Sequence, residues 1–113
     1  MDIVQEIEGD VVIQNVNLKR ATYNEAESLK TNLEKDFNDG MKKIVVDLSK
    51  CKYMDSTFLG ALVQELKNFS LKGGKLRLAG VHAEVEVLLN MTGMHRVFSI
   101  FKTREEAVAS FKE

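Results

Sequence analysis

Proline is missing from this sequence altogether, cysteine occurs once, and no apolar run approaches the length of a bilayer. Each absence closes a route. Without proline, turns and helix ends must be marked by Gly, Asn and Asp. The single thiol, Cys51, cannot form an internal disulfide, and a reducing cytoplasm is the expected setting. A helix needs about 20 apolar residues to cross a bilayer, so the chain is expected not to span a membrane. Its amino end shows no charged stretch followed by an apolar one, so no export signal is expected either. An excess of one charge is lacking too. Lys and Arg total 16 against 17 for Asp and Glu, so no overall field draws the chain to nucleic acid or an anionic lipid surface. Any partner must be found by a local surface.

What is present is the material of one ordinary domain spanning residues 1–113, with 44% hydrophobic and 29% charged residues. From Ile3 to Val16 the alternating, β-branched pattern predicts a hairpin turning at Glu8 to Asp10, where Gly9 supplies positive φ. Thr22 with Glu25 three residues later forms a capping box. Ala26, Leu29, Leu33 and Phe37 then recur at helical spacing, and Gly40 offers a left-handed stop.

The continuous apolar run from Lys42 to Leu48 predicts a central strand buried on both faces. Leu59, Leu62, Val63, Leu66 and Phe69 form a second helical stripe that ends near Lys72, before Gly73 and Gly74. Lys75 to Val81 alternates as a strand. A third helix carries Val85, Leu88 and Leu89, with Gly93 as its cap, and Arg96 to Lys102 is strand-like. A final helix starts at Thr103, with Glu106 completing another capping box. The order β-β-α-β-α-β-α-β-α predicts an α/β domain with a mixed, mainly parallel sheet, helices packed against it and an antiparallel edge from the hairpin.

Most chemistry-bearing candidates fail their own test. Gly73 to Lys75 lacks the upstream glycine of a phosphate loop and has Leu76 where Ser or Thr is required. His82 and His95 are too far apart for a two-histidine helical metal site, and Cys51 has no close thiol or imidazole, so no metal is expected. Both histidines read as surface or capping residues, and Cys51 as a small filler. Asp47 and Asp55 read as a strand-end acid and a helix cap. Ser56 lacks the flanking glycines of a nucleophile elbow, which leaves serine hydrolase as a weak alternative.

The informative stretch is "MDSTF", Met54 to Phe58, where two hydroxyls stand between an acid and an apolar-striped helix. Asp55 or Ser56 can accept from the free N–H groups of the first turn. A serine there can also carry phosphate, because the positive end of the helix dipole accommodates the added charge.

The run "IVVDLSKCKYMDSTFLGALV", Ile44 to Val63, resembles the STAS domain of bacterial anti-sigma factor antagonists. That family shows a strand, Asp-Leu-Ser, a loop, then Asp-Ser-Ser/Thr-Gly-Leu-Gly. Gly73 to Phe111 is similar to the family's closing strand, helix, Leu-Thr-Gly-Leu turn, strand and terminal helix. The resemblance implies a binding protein without active site or cofactor. Ser56 would be the phosphoacceptor, and the unmodified chain would capture an anti-sigma factor that is itself a serine kinase. Phosphorylation would end the capture and a metal-dependent phosphatase would restore it. The runner-up is a STAS-like module in a signalling scaffold or lipid-transport complex whose hydroxyl is never phosphorylated.

Met54, Asp55, Thr57 and Phe58 are expected to contribute to the partner surface, with Asp55 also shaping the helix start. Phe58 stands where the motif has glycine; its ring is either a partner anchor or turned into the core. Lys19, in the loop before the first helix, stands where the family commonly has an acid. If that loop lies beside Ser56, the local charge is reversed, and Lys19 either pairs with a phosphate or marks a different partner.

Overall fold

The computed structural model describes residues 2–112. The chain opens as a hairpin, β1 (Ile3–Glu8) antiparallel to β2 (Val11–Val16), turning where Gly9 has φ 63°. A two-residue strand, β3 (Arg20–Ala21), precedes α1 (Tyr23–Asn38), which starts on the Thr22–Glu25 capping box and buries Ala26, Leu29 and Leu33. Next come β4 (Lys43–Asp47), a second two-residue strand β5 (Tyr53–Met54), and α2 (Ser56–Leu71). The chain then forms β6 (Lys75–Ala79), α3 (Ala83–Met91), a 3₁₀ turn at Met94–Arg96, β7 (Ile100–Phe101) and α4 (Arg104–Ala109). Glu113, the expected last residue of the final helix, lies outside the described residues.

The main sheet runs β1-β2-β4-β6-β7, and every pairing except β1 with β2 is parallel. β4 is the middle strand, as its unbroken apolar run predicts. Ile44 and Val46 join the larger core cluster with Leu29, Leu33, Phe58 and Leu62 from α1 and α2. Val45 joins a smaller one with Val11, Ile13, Ala79 and Ala107 of α4. Alternate residues of one strand thus fill two layers, as the period of two requires.

A polar hub secures α4 to the open face. Arg104 bonds Asp47 at 2.8 Å, Glu6 at 2.6 Å and the side-chain oxygen of Asn15. Burial pushes the Asp47 carboxyl up, but the Ser49 N–H and hydroxyl and the Arg104 guanidinium outweigh it and hold the carboxyl below its ordinary range. On the opposite face of the same strands, Asp36 of α1 is 1% exposed and accepts 2.7 Å bonds from Gln5 and Gln14. Burial pushes its carboxyl above the ordinary range, and neutral amides only partly offset that.

Two regions depart from the expected layout. Arg96 to Lys102 yields only Ile100–Phe101 as strand, because this edge strand meets β6 only at Leu78 and Ala79, while Phe98 turns into the core. Lys75 to Val81 stops at Ala79. There Gly80 takes φ 70°, and a Cβ on it would lie 2.8 Å from Ser49 Cβ. Only glycine lets these two loops pass so closely.

Candidate functional site

The short strands β3 and β5 pair in parallel, Arg20 opposite Tyr53 and Ala21 opposite Met54. The Lys52 and Tyr53 N–H groups donate to the Lys19 carbonyl at 2.9 and 3.0 Å, and the Asp55 N–H donates to the Ala21 carbonyl at 3.1 Å. This zipper brings the starts of α1 and α2 side by side, although they are separated by a whole helix and strand in sequence. The loop carrying Lys19 therefore does lie beside the Ser56 joint.

Asp55 is the N-cap of α2 and joins the two helix starts. Its Oδ1 accepts the Phe58 N–H at 2.8 Å, and its Oδ2 accepts the Tyr23 N–H, the first residue of α1, at 2.9 Å. One carboxylate thus satisfies orphan donors of two helices. The Thr22–Glu25 box completes α1, with Glu25 accepting from the Thr22 N–H at 2.9 Å.

Ser56 and Thr57 are exposed, and one turn later so is Gly60. Phe58, Leu59, Ala61 and Leu62 face inward. Small residues therefore form the outward side of the first turns of α2.

The structure corrects two expected partner contacts. Phe58 is 0% exposed and packs in the core cluster with Leu62, one turn further along the inward side of α2. Met54 is 4% exposed, because in a two-residue strand the neighbour that faces outward is Tyr53. Neither presents a side chain to a partner. Asp55 is half-buried, and Lys19 and Thr57 are exposed.

Sequence reasoning did not single out Arg20, Tyr23 and Tyr53. The Arg20 guanidinium lies 4.3 Å from the centre of the Tyr53 ring, a cation–π geometry. Tyr23 is 68% exposed and Tyr53 43%. With Thr22, Glu25 and Asp55 they line an open concavity of about 500 Å³. One signal was available: the chain has only two tyrosines, and neither sits on an apolar stripe.

Among the described residues no histidine hydrogen-bonds the Ser56 hydroxyl. His82 caps α3 from the N-terminal side and its Nε2 meets the Ser49 carbonyl instead of Ser56. Cys51 is buried and its Sγ–H donates to the Tyr53 carbonyl; burial pushes the thiol up, away from the reactive thiolate. Among the described residues no group of three or more His, Cys, Asp or Glu could hold a metal ion, and no helix is long and apolar enough to cross a membrane.

Comparison with known proteins gives a consistent picture. The STAS domain model matches residues 4–107. A candidate anti-sigma factor antagonist of Thermotoga maritima is 33% identical over 103 residues, 91% of each chain. Its crystal structure superimposes with a TM-score of 0.91 at 31% identity, covering 98% of this chain and 95% of that one. An anti-sigma F factor antagonist of Paenibacillus polymyxa is 29% identical over 69 residues, 61% of this chain and 59% of its own. Phosphorylated SpoIIAA of Bacillus shares the fold, with a TM-score of 0.76 at 14% identity over 96% of this chain and 98% of that one.

Proposed function

The chain belongs to the STAS domain family, among relatives named as anti-sigma factor antagonists, and we propose that it binds an anti-sigma serine kinase until Ser56 is phosphorylated. In this reading the antagonist is a cytoplasmic binding protein and catalyses nothing itself. ATP and metal ions belong to the kinase and to the phosphatase that resets the switch.

The observation that carries the reading is the position of Ser56: exposed, first in α2, and directly after the carboxylate that caps two helices. Exposure makes the hydroxyl reachable by a transferase. Two adjacent helix N-termini lay their positive ends on the same surface, so a phosphate of roughly −1.5 to −2 charge is accommodated without refolding. Inside a docked interface that phosphate would have to be desolvated beside Asp55, at an effective cost of several kcal/mol. Each 1.4 kcal/mol is about tenfold in affinity, so one modification lowers binding by orders of magnitude. Thr57 serves as a helix-start hydroxyl and flat contact surface.

A pull-down with the cognate anti-sigma kinase tests this. Ser56→Ala should bind, Ser56→Asp should not, and Thr57→Ala should behave as the parent. Equal binding by both Ser56 variants removes the switch. Mapping of the modified residue by mass spectrometry on protein from its native cell should find phosphate at Ser56.

A further inference from the structure

Building on the reading that a protein partner docks at Ser56, we propose that Lys19, Arg20 and Lys52, with Tyr23 and Tyr53, form a cationic and aromatic contact for an acidic segment of that partner. The cations come from the two segments that the β3–β5 zipper joins, and all of them are exposed. Among the described residues none of them pairs with a carboxylate, whereas Lys35, Lys43 and Arg104 each do. Most other Lys and Arg are likewise without a carboxylate partner among the described residues, so what sets these three apart is that the zipper gathers them at one place, beside the starts of α1 and α2.

The local carboxylates do not cancel it. Asp55 accepts from the Tyr23 and Phe58 N–H groups, and Glu25 accepts from the Thr22 N–H and hydroxyl. Both acids therefore face the positive ends of α1 and α2, and three exposed cations against these two half-buried acids leave the local balance positive. Lys50 stands apart, lining a separate concavity with Glu6, Asp47 and Arg104.

Aromatic chemistry at the same surface points to protein as the occupant. Both tyrosines of the chain are here, and Arg20 is held over one of them. Tyr and Arg are the residues that dominate interface hot spots, and a stacked guanidinium loses less freedom on docking. Nucleic acid fits less well, since duplex binding draws on roughly 6–10 phosphate contacts. Polybasic lipid binding draws on clusters of about 4–8 Lys and Arg, more than this surface offers. A phosphate on Ser56 would be a second anion for the same cations, so modification would both repel the acidic segment and take its place.

The test uses the full chain with charge reversal at side chains whose only bonds at the zipper are through the backbone. Lys19→Glu with Lys52→Glu should weaken kinase binding roughly 100-fold and flatten its salt dependence. The matched control, Lys67→Glu with Lys75→Glu on exposed positions elsewhere, should leave binding unchanged. If Ser56→Asp blocks binding while the Lys19/Lys52 pair and the control behave alike, this inference falls and the switch stands. If charge reversal weakens binding but Ser56→Asp does not, the switch falls and this inference stands.

A second arm needs no kinase. Amide shifts of ¹⁵N-labelled protein titrated with a glutamate-rich decapeptide should centre on Lys19, Arg20, Tyr23, Lys52 and Tyr53. Shifts spread over all lysines, or tighter binding of a DNA duplex or phosphatidylglycerol vesicles at these amides, overturn the proposal.

Discussion

Arg104 and Arg20 carry the same charge in opposite circumstances. Arg104 reaches from α4 across the open face of the sheet to Glu6, Asn15 and Asp47, and its charge is used up inside the domain. Arg20 lies over the Tyr53 ring with no carboxylate partner among the described residues, and its charge is exposed. The contrast separates two jobs that sequence composition lumps together. Charge that closes the fold is saturated by internal partners, and charge left unsaturated on an exposed aromatic is available to another molecule.

The sharpest way to break that contrast is to remove each guanidinium. Arg104→Ala strips the cation from Asp47, which is 6% exposed, and should cost about 2 kcal/mol in urea denaturation, less than a fully buried pair because Arg104 is partly solvated. Arg20→Ala should stay within about 0.5 kcal/mol of the parent in the same measurement while weakening kinase binding. Equal stability losses would erase the distinction.

Asp55 tests whether an acid at the proposed docking joint can be structural. Asp55→Ala leaves N–H donors on both α1 and α2 unpaired and should cost about 1–2 kcal/mol. Asp55→Asn keeps one acceptor oxygen and should recover roughly half, as read by thermal unfolding.

Acid titration sharpens the comparison further. The folded-state carboxyl of Asp47 is depressed, so its contribution is complete above its unfolded value near 3.8 and is lost as pH falls through the lower folded value. Asp36 is raised, so the fold gains stability as pH falls through its folded value towards 3.8. Stability should therefore rise slightly on mild acidification and fall below about pH 4. Asp36→Asn should shrink the rise, the remainder coming from Glu65, which burial also raises, and Arg104→Ala should shrink the fall; unaltered profiles would refute these assignments.

Much of the domain was legible from local pattern. The Thr22–Glu25 box, the Gly9 turn and the apolar run of β4 are statements about neighbours in sequence, and all appear as expected. Asp55 and Ser56 were equal candidates for the α2 cap by type; the extended backbone at Asp55 settles the choice. Phe58 was open between anchor and core, and Met54 was expected outside; both are inside, since each turns its side chain toward the layer that covers it. Two-residue strands show no periodicity, so β3 and β5, and with them the Arg20–Tyr53 contact, could not be read in advance.

Sequence by itself determined the element order, the buried middle strand and an exposed hydroxyl at a helix start, because caps, turns and apolar period act over a few residues. Only tertiary structure decided that α1 and α2 begin together, that one carboxylate serves both, and that Arg20 lines one concavity with both tyrosines. The reason is the β3–β5 zipper, whose partners are about 30 residues apart: two-residue strands so distant in sequence carry no local signal of their pairing, which depends on the rest of the fold bringing them together.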